Sequence, residues 1–298
     1  MRSGRDVKAW IWKLPVCGLA FFLATAVTAA ILTMAGLHRM AMPPGFVEQK
    51  STLYSLALCP LVAAGLAPLA AGLSGGFRAR WLTVALLVWI NMAVNMAIEL
   101  AIFSTLLANG GAAFLVLMYA GAAAALGAAT AHWFGPSERP PAEVPRRGAA
   151  GWTWRIAAAV LAFPVIYLVF GMMVSPIVVE RYRAGIAGLV LPPMSVIVSV
   201  QILRSALFLA GSAAAIFLWA GTRRGLVLAL GWAHLVTVGL YGLLSGYWLP
   251  AALRIAHSLE ITADSFVYAL VIVLLLKRGT TAPERAAQVD GAVPVSAA

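Results

Sequence analysis

Eight apolar runs, each long enough to cross a bilayer and joined by mostly short connections, leave this chain few folds to choose from. A spanning helix needs about 20 mainly apolar residues, because 1.5 Å of rise per residue must cover about 30 Å of hydrocarbon. The runs are Leu14–Leu37, Leu53–Leu73, Trp81–Leu107, Ala112–Trp133, Trp154–Val179, Pro193–Ala220, Leu226–Gly246 and Leu249–Leu276. Backbone N–H and C=O groups in lipid must be bonded inside the protein, and a helix does this within one segment. The expected fold class is an all-α integral membrane protein of about eight transmembrane helices. Pro192 and Pro193 suit a helix start, and Gly75-Gly76 and Gly110-Gly111 suit turns.

Composition excludes the soluble alternatives. The chain is 62% hydrophobic and only 10% charged, against about 25% charged in soluble domains, so it cannot clothe itself in a wetted surface. The net charge of +11 does not indicate a nucleic-acid partner, because the basic residues sit in short clusters between apolar runs. With the N-terminus in the cytoplasm, 15 of the 21 Lys and Arg residues fall on the cytoplasmic side, and Arg39, Lys50, Arg181 and Arg183 fall outside. Arg204 and Arg254 lie within helices. The positive-inside rule therefore puts both termini in the cytoplasm of a bacterial-type inner (plasma) membrane.

The longest connection, rich in Pro and charge, divides the chain. Residues 1–13 form a cytoplasmic N-terminal segment, 14–134 a first four-helix half, 135–152 a cytoplasmic linker, and 153–278 a second four-helix half. Residues 279–298 read as a disordered cytoplasmic tail. Each half has an Arg pair before its third helix (Arg78 and Arg80; Arg223 and Arg224), which suggests two parallel four-helix repeats. The basic start followed by an apolar run resembles a signal peptide, but the run continues to Leu37, and an uncleaved first helix is expected. Cys17 and Cys59 are expected near opposite membrane faces, as unpaired packing residues. Small-residue stretches at Gly121–Ala131 and Gly211–Ala215 should allow close helix contact. Pro60, Pro68 and Pro164 lie inside spans.

Ionisable side chains inside a bilayer cost roughly 2.5–3.5 kcal/mol each near its centre. The eighth segment nevertheless carries Arg254, His257, Glu260, Asp264 and Tyr268 within an arc of about 120° at roughly 100° per residue. On the third, Asn91, Asn95 and Glu99 recur every four residues along one face. The sixth adds Gln201, Arg204, Ser205 and Ser212, with Arg204 the natural counter-ion for Glu260, Asp264 or Glu99. Counting rise from each helix centre puts Asp264, Glu260, Arg204, Glu99 and His257 in a slab roughly 10 Å thick. They can meet only if the third, sixth and eighth helices share an interior.

Other features have plainer explanations. His234 reads as a satisfied core histidine, and His38 and His132 as interfacial. Glu180, Arg181 and Arg183 read as a solvated outer loop. Tyr182, Tyr247 and the tryptophans near helix ends read as an interfacial belt. His257, Glu260 and Asp264 are the available metal ligands, yet no His-Glu-x-x-His or Cys-x-x-Cys is present, and Arg204 and Arg254 would repel a cation. Haem would need two histidines at one depth, and His234 and His257 differ by roughly 11 Å along the membrane normal. No nucleophile elbow or phosphate loop appears. No metal and no cofactor are therefore expected.

These residues predict a polar cavity that binds or transports a small polar solute or ion, with Glu260 and Asp264 carrying protons, His257 relaying them and Arg204 gating that charge. Two alternatives use the same residues: an intramembrane enzyme acting on a lipid or isoprenoid, and a non-catalytic subunit or sensor that docks a partner membrane protein or a second copy.

Overall fold

A computed structural model describes residues 4–37, 40–107, 111–136 and 146–277, with side chains from Trp10 onward. Arg2, His38, Arg39, Gly110, Arg139, Arg278, Arg285, the tail 279–298 and residues 137–145 of the linker lie outside the described residues. The described chain is helical, without strands. Eight helices are long and apolar enough to cross a membrane, the architecture of a multi-pass membrane protein. They are α1 (Gly4–Met34), α2 (Glu48–Gly72), α3 (Phe77–Phe103), α4 (Gly111–Trp133), α5 (Ala149–Arg183), α6 (Met194–Leu218), α7 (Arg223–Ser245) and α8 (Ala251–Leu276).

All eight expected segments are present, and the differences lie at their ends and centres. Helix α5 runs on to Arg183, so Glu180, Arg181 and Arg183 belong to its last turns rather than to a loop. Basic side chains are favourable there, where the helix dipole leaves its negative end; Arg181 donates to the Ile177 carbonyl one turn back. Helices α3 and α7 are each interrupted by a π-helical turn, at Ile90–Asn95 and Leu235–Leu240. Such turns widen the helix locally and often occur at functional sites. In α3 the amide of Asn95 donates to the Ile90 carbonyl five residues back, at 3.3 Å.

The helices alternate in direction between two faces. On the near face, where α1 begins, Lys13 donates to the Trp133 carbonyl at the end of α4, and Arg147 donates to carbonyls at the end of α8. The ends of α1, α3, α5 and α7 lie at the far face. Thr105 N donates to Gly188 O and Val190 N to Phe103 O, both at 2.9 Å, which ties the end of α3 to the connection between α5 and α6.

One contact scheme serves both halves. In the first, α1 packs on α2 and α4, and α4 packs on α3. In the second, α5 packs on α6 and α8, and α8 packs on α7. The halves join where α2 meets α7, α3 meets α6, and the two π turns meet each other. At the near face the ends of α2 and α6 exchange backbone hydrogen bonds: Ser74 N to Leu218 O at 2.7 Å, and Ala220 N to Gly72 O at 3.0 Å. Gly72 is required there, because a Cβ would enter the Trp219 ring.

Small residues set the close approaches elsewhere. A Cβ on Gly127 would lie 2.9 Å from the Trp81 carbonyl, so α4 packs against the α3 backbone itself. One placement differs from expectation. Cys17 and Cys59 do not sit near opposite faces, since their neighbourhoods touch: a Cβ on Gly18 would lie 2.6 Å from the Cys59 backbone. Helix α2 enters from the far face and is halfway across at Cys59, the depth at which Gly18 stands near the middle of α1. Both thiols are buried and free.

Candidate functional site

The inward face of α8 decides where the polar residues go. Ile255 and Leu259 are 62% and 65% exposed, whereas Glu260 and Asp264 are each 6% exposed. Apolar side chains face outward, as lipid requires, and the carboxylates face the bundle. They line a cavity enclosed by α3, α5, α6, α7 and α8, not by α3, α6 and α8 alone.

At its far-face mouth lies an ion pair. Arg204 of α6 is 4% exposed and donates from Nη2 to Glu99 Oε2 of α3 at 2.9 Å. Its Nη1 donates to Gln201 Oε1 at 3.2 Å, and its guanidinium carbon lies 5.6 Å from the Phe208 ring centre. The Glu99 side chain is 43% exposed, so one end of the pair is buried and the other is open. Of the three carboxylates offered by the sequence, Glu99 takes the guanidinium.

Glu260 has a different partner. Its Oε2 lies 2.8 Å from His257 Nδ1, one turn away on the same helix, and His257 Nε2 lies 3.4 Å from the Tyr182 hydroxyl at the end of α5. A neutral imidazole can donate through Nδ1 to the carboxylate and accept through Nε2 from the phenol. The row Tyr182–His257–Glu260 thus runs from the mouth inward, with His257 20% exposed and Glu260 5% by side chain. Gly171 of α5 makes room for this carboxylate: a Cβ there would sit 3.3 Å from Glu260 Oε1.

Asp264 lies one turn deeper. Among the described residues no protein group bonds to its carboxylate, and Oδ1 is fully buried. Below it the cavity closes on neutral groups. Tyr268 shares a 3.2 Å hydroxyl contact with Ser205 and donates to the Ser205 carbonyl. His234 of α7 is held at both ring nitrogens, by Ser212 Oγ at 2.9 Å and by the Asn91 amide at 3.3 Å. Asn91 also donates to Thr237 Oγ1 at 2.9 Å, between the two π turns. The walls are aromatic: Phe103, Phe163, Tyr167, Tyr182, Phe208 and Tyr268. About 50 Å³ is open to the centres of water-sized molecules, room for a few waters at about 10–15 Å³ each.

Of the residues singled out from the sequence, Glu99, Arg204, His257, Glu260, Asp264 and Tyr268 line this one cavity. Gln201 supports it through Arg204, and Asn91 through His234. Asn95 bonds only within its own helix, and Arg254 lies outside the lining. The row Asn91-Asn95-Glu99 is therefore not one surface. The π turn resets the helix rotation, so Asn91 faces α7 while Glu99 faces α6. Among the described residues, no three His, Cys, Asp or Glu side chains converge as a metal site.

Helices α5 and α7 were the unforeseen walls. Tyr182 is a cavity residue rather than part of an interfacial belt, and His234 is both a satisfied core histidine and part of the floor. One signal was available: Tyr167, Gly171 and Tyr182 are spaced by four and eleven residues, which places them on one helical face. Nothing comparable marks Phe163 or Phe208 among the many apolar residues around them. No protein-family model, curated protein or solved structure matches the chain.

Proposed function

We propose that the chain binds a small polar solute or ion in this cavity and couples its movement to protons. The carrying observation is the charge balance: Glu99, Glu260 and Asp264 stand against one guanidinium, Arg204, inside an apolar bundle. Uncompensated charge in a low-dielectric interior is costly, so such a site takes up protons, a cation or both. The Glu260–His257–Tyr182 row is the proton-handling element, because each member can both accept and donate a proton and the row leads to the open end. Arg204 holds Glu99 at the mouth and gates the charge there.

A purely structural role for these charges is opposed by α4. It packs on α1 and α3 as α8 packs on α5 and α7. Yet α4 contains no Asp, Glu, Lys or Arg. Helix packing in this scheme therefore does not need the ionisable row. The shared scheme, the paired π turns and the reciprocal bonds at Gly72 and Ala220 support a parallel duplication in which one half kept or acquired a polar site. The near face carries Lys13, Arg78, Arg80, Arg146, Arg147, Arg155, Arg223, Arg224 and Lys277, which supports a cytoplasmic near face, both termini inside, and a cavity opening to the outside of a bacterial-type plasma membrane. The cavity's size weighs against a lipid or isoprenoid substrate. The inward direction of the row weighs against a docking stripe for a partner helix.

The test uses purified protein in proteoliposomes with an internal pH-sensitive dye. An imposed pH gradient, with and without trial ions and small polar solutes outside, should drive proton entry through the wild type and far less through Glu260→Gln. Equal proton entry with Glu260→Gln and with Asp264→Asn would remove the proton-carrier role.

A further inference from the structure

We infer that Asp264 is the seat of a small, weakly hydrated monovalent cation, of the size of ammonium or methylammonium. The inference rests on the cavity-binding function proposed above and names the chemistry of its ligand. The carboxylates are not equivalent. Glu99 is matched by Arg204 at 2.9 Å, and Glu260 is hydrogen-bonded to His257 Nδ1 at 2.8 Å. Asp264 has neither an ion-pair partner nor a hydrogen bond among the described residues, is 6% exposed and lines the cavity, with its Oδ1 sealed from water. Asp264 is therefore the carboxylate left open, at a defined depth, for an incoming cation to pair with.

Its surroundings select what can balance it. Phe163, Phe208, Tyr167 and Tyr268 bring aromatic rings to the same cavity, and ring faces attract cations that shed water easily. A divalent ion demands roughly six oxygen ligands, and a single free carboxylate among aromatic rings does not supply them. An anion would face three carboxylates. The space open to water-sized centres, about 50 Å³, admits ammonium or methylammonium with a water or two, and is too small for a quaternary amine such as choline. Ser265, one residue on and also in the lining, offers a hydroxyl oxygen to the same ligand.

Isothermal titration calorimetry of the detergent-purified full chain tests this, using ammonium, methylammonium, sodium and choline chlorides at constant ionic strength. Saturable binding of ammonium and methylammonium is expected, with weaker sodium binding and no choline binding. Asp264→Asn should weaken methylammonium roughly tenfold or more, the loss of one charge-assisted contact. Tyr167→Leu keeps the carboxylate, thins the aromatic wall and serves if Asp264→Asn does not fold; it should weaken methylammonium while leaving sodium nearly unchanged. No saturable binding of any monovalent cation by the wild type, or unchanged methylammonium binding in Asp264→Asn, overturns the inference. So does an equal loss of sodium and methylammonium binding in Tyr167→Leu. If the wild type still moves protons in liposomes while binding no cation, the cation assignment fails and the proton-coupled cavity stands. Loss of proton movement in wild-type liposomes removes the broader function instead.

Discussion

The Glu99–Arg204 pair separates a site from a mere helix clamp, and a double-mutant cycle reads the difference. Arg204 is almost wholly buried and bonds Glu99 at 2.9 Å, but the Glu99 side chain is 43% exposed. A hydrogen bond to a charged group contributes about 1.5–3 kcal/mol when protected, and an exposed ion pair about 0.2–1 kcal/mol. A pair open at one end should therefore couple by about 1–2 kcal/mol. Glu99→Gln leaves a buried guanidinium with a neutral partner. Arg204→Met leaves three carboxylates with no fixed cation. Each single change should cost about 1–1.5 kcal/mol, less than the roughly 3 or more of a fully buried pair because Glu99 reaches solvent. Replacing both removes the charges together, and apolar replacement of a buried pair is often neutral. The double variant should thus recover to within about 1 kcal/mol of the wild type. Reversible unfolding in mixed micelles, followed by tryptophan fluorescence, measures all four corners. Proton entry into liposomes is then read on the double variant, where loss is expected despite recovered stability. Destabilisation equal to the sum of the singles would refute the coupling. Recovery of both stability and proton entry would refute the assignment of the pair to the mouth of the site.

Three further outcomes follow from named contacts. His234→Leu strands the Ser212 hydroxyl and the Asn91 amide between the two π turns, and should cost about 1–3 kcal/mol in the same unfolding assay. Gly171→Ala puts a methyl 3.3 Å from Glu260 Oε1; it should slow proton entry with a stability change below about 1 kcal/mol, and unaltered proton kinetics would show that the carboxylate has room to yield. Lys277, just past α8, donates to the Ile216 and Trp219 carbonyls, and burial lowers its pKa from the usual 10.5. In the alkaline range between the folded and unfolded values the unfolded chain holds more protons, so stability should rise with pH as Lys277 loses its charge. Lys277→Met should flatten that rise in thermal scans between neutral pH and about pH 10.

Much of the fold was legible because a bilayer imposes length and polarity rules that act locally. The eight segments follow from apolar length alone. The inward turn of the α8 row follows from the cost of exposing Glu260 and Asp264 to hydrocarbon. The site was legible in part. Residues too costly to place in lipid stood out, which is why Glu99, Arg204, His257, Glu260, Asp264 and Tyr268 could be named. Phe163, Phe208 and Tyr167 could not, since an aromatic side chain is at ease against lipid, a protein core or a cavity. Asn95 and Arg254 show the opposite error: both are polar and within a span, yet neither reaches the cavity.

The sequence by itself determined how many helices there are, roughly where they begin and end, and which side chains must avoid lipid, because these depend on the free energy of one segment in its solvent. Tertiary structure alone decided the pairings. Arg204 chose Glu99 over two deeper carboxylates, Tyr182 came in from α5 to meet His257, and two π turns rotated Asn91 away from Glu99 and toward His234. Those outcomes depend on which helices are neighbours and on rotations set by glycine contacts such as Gly72 on Trp219 and Gly127 on Trp81. Segments that are apolar on every side carry no periodic signal that fixes their neighbours, so that information exists only once the bundle has packed.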